Sequence, residues 1–188
     1  MNKRIFLTIS AATVLLAACT TTGPGASGDP AAKRRSIDAA VDSALTKLHS
    51  QAPGSRELTA KAKGVLVFPS VVSAGFVVGG SYGEGALRSG NRTSGYYRTT
   101  AASAGLLAGA ESKAVYVLFM TQDALDKFLG SSGWTAGVDA SVSLINVGAD
   151  VGVDTQTMKQ PVVGYVLTNA GLMANLSVDG TKITRLDL

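Results

Sequence analysis

The sequence predicts an α+β fold. It is a mainly antiparallel, strongly curved sheet, or a partly closed β-barrel, with about three helices packed on it. Three observations carry this reading. Helical periodicity is confined to the start of the chain and to one short segment near residue 125. Most of the remainder alternates at period two, which is the spacing of strands. The 22 glycines gather in those alternating runs, where they permit bends and close backbone approach.

The first helix starts well. Asp29 is a helix N-cap and Pro30 suits the first helical position. Ile37, Val41, Ala44, Leu45 and Leu48 then share one face. That stripe is read as covering the sheet; the alternative is insertion into a lipid interface. Ala52-Pro53-Gly54 stops the helix, and Ser55 is expected to cap a second one over residues 56–63. A third is expected from Gln122 to Leu129. Thr121 is its cap, and Leu125, Phe128 and Leu129 face inward.

The strands organise around residues 64–121. Gly64 to Pro69 opens the run. Ala74 to Gly85 follows as a strand with Phe76, Val78 and Tyr82 on one face and Gly75, Gly79, Ser81, Gly83 and Gly85 on the other. Ser89-Gly90-Asn91-Arg92 carries turn chemistry. Tyr96 to Ala110 reads as a second strand. Ala114 to Met120 is apolar on both faces, as a central covered strand requires. Val138 to Leu144 and Val147 to Val153 alternate with polar residues. Pro161 opens Val162 to Leu167, and Asp179-Gly180 is expected to join Gly171–Val178 to Thr181–Leu186 as a hairpin. Trp134 is read as a core plug rather than a membrane anchor.

The order Gly64-Val-Leu-Val-Phe-Pro69, Gly79-Gly80-Ser-Tyr82-Gly83-Glu-Gly85, Gly95-Tyr96-Tyr97 resembles the SYLF domain, a lipid-binding module. The resemblance continues through Gly133-Trp134, Gly171-Leu172-Met173-Ala174 and Gly180-Thr-Lys182-Ile183-Thr-Arg185, so it spans about residues 55 to 188. Thr181 departs from the serine usual in bacterial members, and the run Asp150 to Asp154 has no counterpart in the family pattern. The resemblance implies phospholipid recognition. In eukaryotic relatives this is directed at phosphoinositides through basic residues and an N-terminal amphipathic segment. For a bacterial member the implied ligand reduces to an anionic phospholipid.

The first residues explain why a bacterial member is meant. Lys3 and Arg4 precede an apolar run of 14 residues, Ile5 to Ala18, shorter than the ~20 needed for a membrane-spanning helix. Leu16-Ala17-Ala18-Cys19 resembles the lipobox of bacterial lipoproteins, and Cys19 is the chain's one cysteine. The expected organisation is a signal peptide over 1–18, an acylated tether over 19–29 and a single SYLF-like domain over 30–188. An ordinary signal peptide with an incidental cysteine is the alternative. Thr20, not Asp, follows Cys19, which resembles an outer-membrane address.

Charge is uneven. Residues 30–63 hold seven basic and three acidic side chains, +4, whereas residues 64–188 hold eight and nine, −1. A basic end is a cue for an anionic partner, and for an exported lipoprotein that partner is membrane phospholipid rather than nucleic acid. Lys33, Arg34, Arg35, Lys61 and Lys63 are the candidate phospholipid-binding residues, and Cys19 is the candidate lipid attachment. Each of those five is also what an ordinary solvated helix face carries.

Catalytic chemistry finds no support. His49, the sole histidine, lies at a helix end beside Ser50. Asp139, Asp150 and Asp154 do not have calcium-loop spacing and fall on the polar phase of alternating strands. The glycine run lacks G-x-G-x-x-G and no helix pattern follows it. No metal, cofactor or catalytic residue is expected. The reading is a lipid-anchored, non-enzymatic envelope protein whose domain binds phospholipid. The alternative is a lipoprotein that docks on another envelope protein.

Overall fold

In a computed structural model, residues 29–75, 78–104, 109–145, 159–168, 171–172 and 178–188 are described. Among the described residues three helices, α1 (Pro30–Gln51), α2 (Ser55–Lys61) and α3 (Gln122–Gly130), accompany nine strands. The strands are β1 (Gly64–Gly75), β2 (Val78–Ser89), β3 (Arg92–Ala104), β4 (Gly109–Phe119), β5 (Trp134–Thr135), β6 (Ser143–Leu144), β7 (Val162–Thr168), β8 (Gly171–Leu172) and β9 (Lys182–Arg185). They form one sheet in the order β5-β9-β3-β2-β1-β4-β7-β6, with β8 on β7. Every pairing is antiparallel except β6 with β7. The predicted fold class, α+β with a strongly curved and mainly antiparallel sheet, is the one observed.

The curvature has a direct measure. β4 and β5 stand five places apart in the sheet, about 24 Å if it were flat at ~4.8 Å per strand. Yet the rings of Phe119 on β4 and Trp134 on β5 lie 6.2 Å apart. The sheet therefore curls towards this face. Phe128 of α3 fills the end of the curl, 4.8 Å from Phe119 and 5.8 Å from Trp134 between ring centroids. Trp134 is buried, as a core plug. The other, outer face carries α1 and α2. Ile37, Val41, Ala44 and Leu48 of α1 are buried there against Val65, Val67, Tyr116 and Tyr165, so most of the apolar stripe covers the sheet.

Helix boundaries follow the capping chemistry at two of three starts. The Asp29 carboxylate accepts from the Ala31 amide at 3.0 Å, and Thr121 Oγ1 accepts from the Ala124 amide at 3.3 Å. The expected Ser55 cap is corrected. Gly54 caps α2 with φ of 79°, a left-handed conformation suited to glycine. Ser55 is the first helical residue, buried, donating to the Leu48 carbonyl. The expected inward face of α3 is also corrected: Leu129 is exposed, and Ala124 is buried beside Leu125 and Phe128.

The strand reading changes in four places. Tyr96 to Ala110 is not one strand: β3 ends at Ala104, and Gly109 and Ala110 already belong to β4. Ala74 to Gly85 is not one strand. Ala74 pairs with Gly80 and Gly75 with Gly79, so the chain doubles back between them. A Cβ on Gly75 would sit within clash distance of Gly79, which is why two glycines meet there. Val138 to Leu144 is mostly turn. Gly137 has φ of 82°, Asp139 accepts from the Thr135 amide at 2.6 Å, and only Ser143–Leu144 is strand. Asp179-Gly180 does turn the chain, with Gly180 at φ 76°, and among the described residues β9 pairs with β3 and β5; residues 173–177 of the expected first hairpin strand lie outside the described residues. Val147 to Val153 lies outside the described residues.

β1 carries one extra residue relative to both neighbours. Three steps from Val67 to Ser70 oppose two on β2, and three from Phe68 to Val71 oppose two on β4. Pro69, with no amide hydrogen to pair, falls in this bulge. Phe68 and Val71 consequently both point into the curl.

Candidate functional site

Two surfaces around β1 and β2 can take a ligand, one on each face of the sheet. On the outer face, α1 begins part-way along the strands. Beyond its first turn, cross-strand neighbours Val72 and Tyr82 stand uncovered, 47% and 48% exposed, with Val78 at 75%. Gly80, on the same face as Tyr82 by strand alternation, adds no side chain. The result is an open groove of about 670 Å³ between Ile37 and Ala40 of α1 and the Val72–Tyr82 pair. Exposed large apolar side chains gathered like this mark a contact surface.

The first turn of α1 borders that groove. Lys33 Nζ donates to Glu84 Oε1 at 2.8 Å, and the Tyr82 hydroxyl donates to the same oxygen at 2.7 Å. Burial alone would raise the Glu84 carboxyl, but the bonds from Lys33 and Tyr82 outweigh it and hold it below the usual carboxylate range. Arg34 donates to the Leu188 carbonyl at 2.7 Å, and Arg35 lies 3.7 Å from Asp29 with most of its side chain in solvent. Arg98 pairs across the sheet with Glu84. Four cations thus face two carboxylates, a local excess of +2 before the chain terminus is counted.

The five sequence-chosen basic residues are not one cluster. Lys33, Arg34 and Arg35 share the N-terminal turn of a helix about 33 Å long at 1.5 Å per residue. Lys61 and Lys63 lie at the far end, where Lys61 bonds Glu57 at 2.7 Å and the Lys63 amide bonds the Phe119 carbonyl. Cys19, Asp150 and Asp154 lie outside the described residues. His49 bonds Thr59 at 2.9 Å, and burial followed by the nearby Arg56 charge keeps its pKa below the ordinary value. No cluster of metal-ligating side chains occurs among the described residues, and no described helix is long and apolar enough to cross a membrane.

On the inner face the curl encloses a cavity of about 220 Å³, reached by β1, β2, β3, β4 and β9. The strand register arranges its wall in layers. Val115 and Phe68 are neighbours in the deepest, Lys113, Val71, Gly83, Thr99 and Ile183 in the next, and Glu111, Ser73, Ser81 and Ala101 in the outermost. Gly83 and Gly85 make this packing possible. A Cβ on Gly83 would be 2.9 Å from Val71 Cγ2, and one on Gly85 would be 2.8 Å from the Phe68 ring and in collision with the Val67 carbonyl.

The sequence reading missed Glu84, Tyr82 and Lys113 as site residues. The Tyr82–Glu84 pair was visible as two residues on one strand face. Lys113 shares a face of β4 with Val115 and Val117 by plain alternation, but the run read as a strand began at Ala114 and left it out.

Among known families, residues 100–187 match the family described as Ysc84, Las17-binding protein actin regulator. The match begins within β3 and runs through β9. All five basic candidates precede it. No curated protein matches the chain.

Proposed function

We propose, for a chain that carries a Ysc84 (SYLF) domain, that the domain binds anionic phospholipid at a membrane surface without catalysing a reaction, and that acylation of Cys19 holds it at the outer membrane. One observation carries the first part: Val72, Val78 and Tyr82 are exposed beside the Lys33-Arg34-Arg35 turn. Interfacial binding needs both components, apolar side chains that enter the headgroup boundary and cations that meet anionic lipid. Each basic residue near such a surface contributes about 1 kcal/mol.

Flotation of residues 30–188 with liposomes tests the reading. Anionic liposomes should carry the domain further than neutral ones, and added salt should weaken this, because exposed charges are screened beyond about 8 Å at physiological ionic strength. Replacing Lys33, Arg34 and Arg35 together with Gln should remove much of the preference. Replacing Val72 and Val78 together with Ser should weaken binding to both kinds of vesicle. A domain that floats with neither overturns the membrane reading. The alternative is then docking on another envelope protein, towards which the family's description, with its protein partner Las17, also points. Membrane fractionation with labelled fatty acid tests the anchor: Cys19→Ser should lose the label.

A further inference from the structure

The inner cavity is built on a gradient. Its deepest layer, around Phe68, Val115 and Val117, is buried and apolar. Hydroxyls and charges begin one layer out with Thr99 and Lys113, and continue at the rim with Ser73, Ser81 and Glu111; Thr181 and a second carboxylate, Asp179, complete the polar lining. Neither the Lys113 nor the Glu111 side chain has a hydrogen bond or ion pair among the described residues. Lys113 is the deeper of the two. It is half-buried and opposite Val71, whereas Glu111 is exposed opposite Ser73. A group rising from the apolar floor meets the ammonium first.

From this we infer that the cavity binds a short single-chain amphiphile, with its chain on Phe68 and Val115 and an anionic head, carboxylate or phosphate, on Lys113. Size decides the chain. The ~220 Å³ exceeds the roughly 150 Å³ that accommodates benzene but falls below the roughly 300–1,000 Å³ of pockets for drug-sized molecules. One chain of about eight carbons fits this space and a diacyl phospholipid does not. Burial of its methylenes supplies the affinity and Lys113 supplies the choice of head. This site lies on the opposite face of the sheet from the outer groove, so it stands or falls independently of membrane binding.

Calorimetric titration of the purified protein with octanoate, octyl phosphate and octanol tests it. At least one of the two anions should saturate at one per chain in the millimolar range or below, about −4 kcal/mol or better. Which anion binds more tightly identifies the head as carboxylate or phosphate. Lys113→Gln should weaken that anion about tenfold and leave octanol unchanged. Ala101→Leu, which adds bulk at the half-buried wall, should weaken all three ligands while the thermal melt stays near that of the parent. Failure of both anions to saturate overturns the proposal. So does a Lys113→Gln protein that binds them as the parent does.

Discussion

Tyr116 and Tyr165 are direct cross-strand neighbours on β4 and β7, both fully buried beneath α1, and only one of their hydroxyls has a hydrogen-bond partner among the described residues. The Tyr116 hydroxyl donates to the Ala44 carbonyl of α1 at 2.8 Å. The Tyr165 hydroxyl has none. The same atoms in the same layer should therefore answer the same substitution differently. Tyr116→Phe should cost about 1 kcal/mol, the net contribution of a typical hydrogen bond. Tyr165→Phe should be neutral or slightly stabilising, because it removes a polar atom already left unsatisfied. Urea unfolding of the two variants checks this; equal losses would mean that Tyr165 has a partner.

The two phenols also set an alkaline limit. Burial pushes each to about 12, against an ordinary value near 10. Below pH 10 both the folded and the unfolded chains keep these protons, and stability does not change on their account. Between pH 10 and 12 the unfolded chain loses protons that the folded chain retains, so stability falls as pH rises. The slope approaches about 1.4 kcal/mol per pH unit for each tyrosine. Denaturant midpoints measured from pH 9 to 12 should show this decline, and Tyr165→Phe should make it shallower.

Glycines that look alike in the sequence should tolerate change unequally. Gly85→Ala places a Cβ against the Val67 carbonyl, which is backbone and cannot move aside cheaply, so a loss of about 1–3 kcal/mol is expected. At Gly80 the nearest atom to a new Cβ is the Ala101 carbonyl oxygen at 3.7 Å, an ordinary contact. Gly80→Ala should be neutral or gain a few tenths of a kcal/mol, because alanine restricts the unfolded chain. Thermal melts of the two variants provide the comparison.

Glu84 restrains the charge of the outer surface. Its carboxylate binds Lys33, and its pKa lies below the ordinary value near 4.3. Its stabilising contribution is present above that value and lost as pH falls through the lowered one, in a window below about pH 4. Glu84→Gln mimics the protonated form at neutral pH. The variant should unfold slightly more easily, by less than about 1 kcal/mol given the partial exposure of the pair. It should also bind anionic liposomes several-fold more tightly, because Lys33 is released and a carboxylate is gone. Weaker binding by Glu84→Gln would mean that the pair positions the lipid contact instead of limiting it.

The helices and the central strands were legible for local reasons. Asp29-Pro30 and Thr121 carry their caps within a few residues, and Ala114 to Phe119 announces burial on both faces by composition alone. The misread segments each depend on a partner distant in sequence or on backbone conformation. Ser55 looked like a cap because its chemistry suits one, but Gly54 takes the left-handed turn that places it inside α2. Val138 looked like a buried strand residue, but Gly137 and the Asp139–Thr135 bond turn the chain and leave it 78% exposed. On the outer surface, net charge located Lys33, Arg34 and Arg35 without revealing that Glu84, 51 residues from Lys33, shares their site.

The extra residue in β1 acts as a reading-frame marker for the two faces of the sheet. Before it, Val67 faces α1 and Phe68 faces the curl; after it, Val72 faces α1 and Val71 the curl. Plain alternation through the full-length strand would send Val71 and Ser73 to the groove and Val72 and Ala74 to the cavity; the bulge is what reverses them. Loss of one residue at Pro69 or Ser70 would remove the bulge and keep the faces, because Phe68 and Val71 would then stand two steps apart, as their partners Val115 and Lys113 do. A single-codon deletion there would thus leave the composition of both surfaces in place and take away only the local bend.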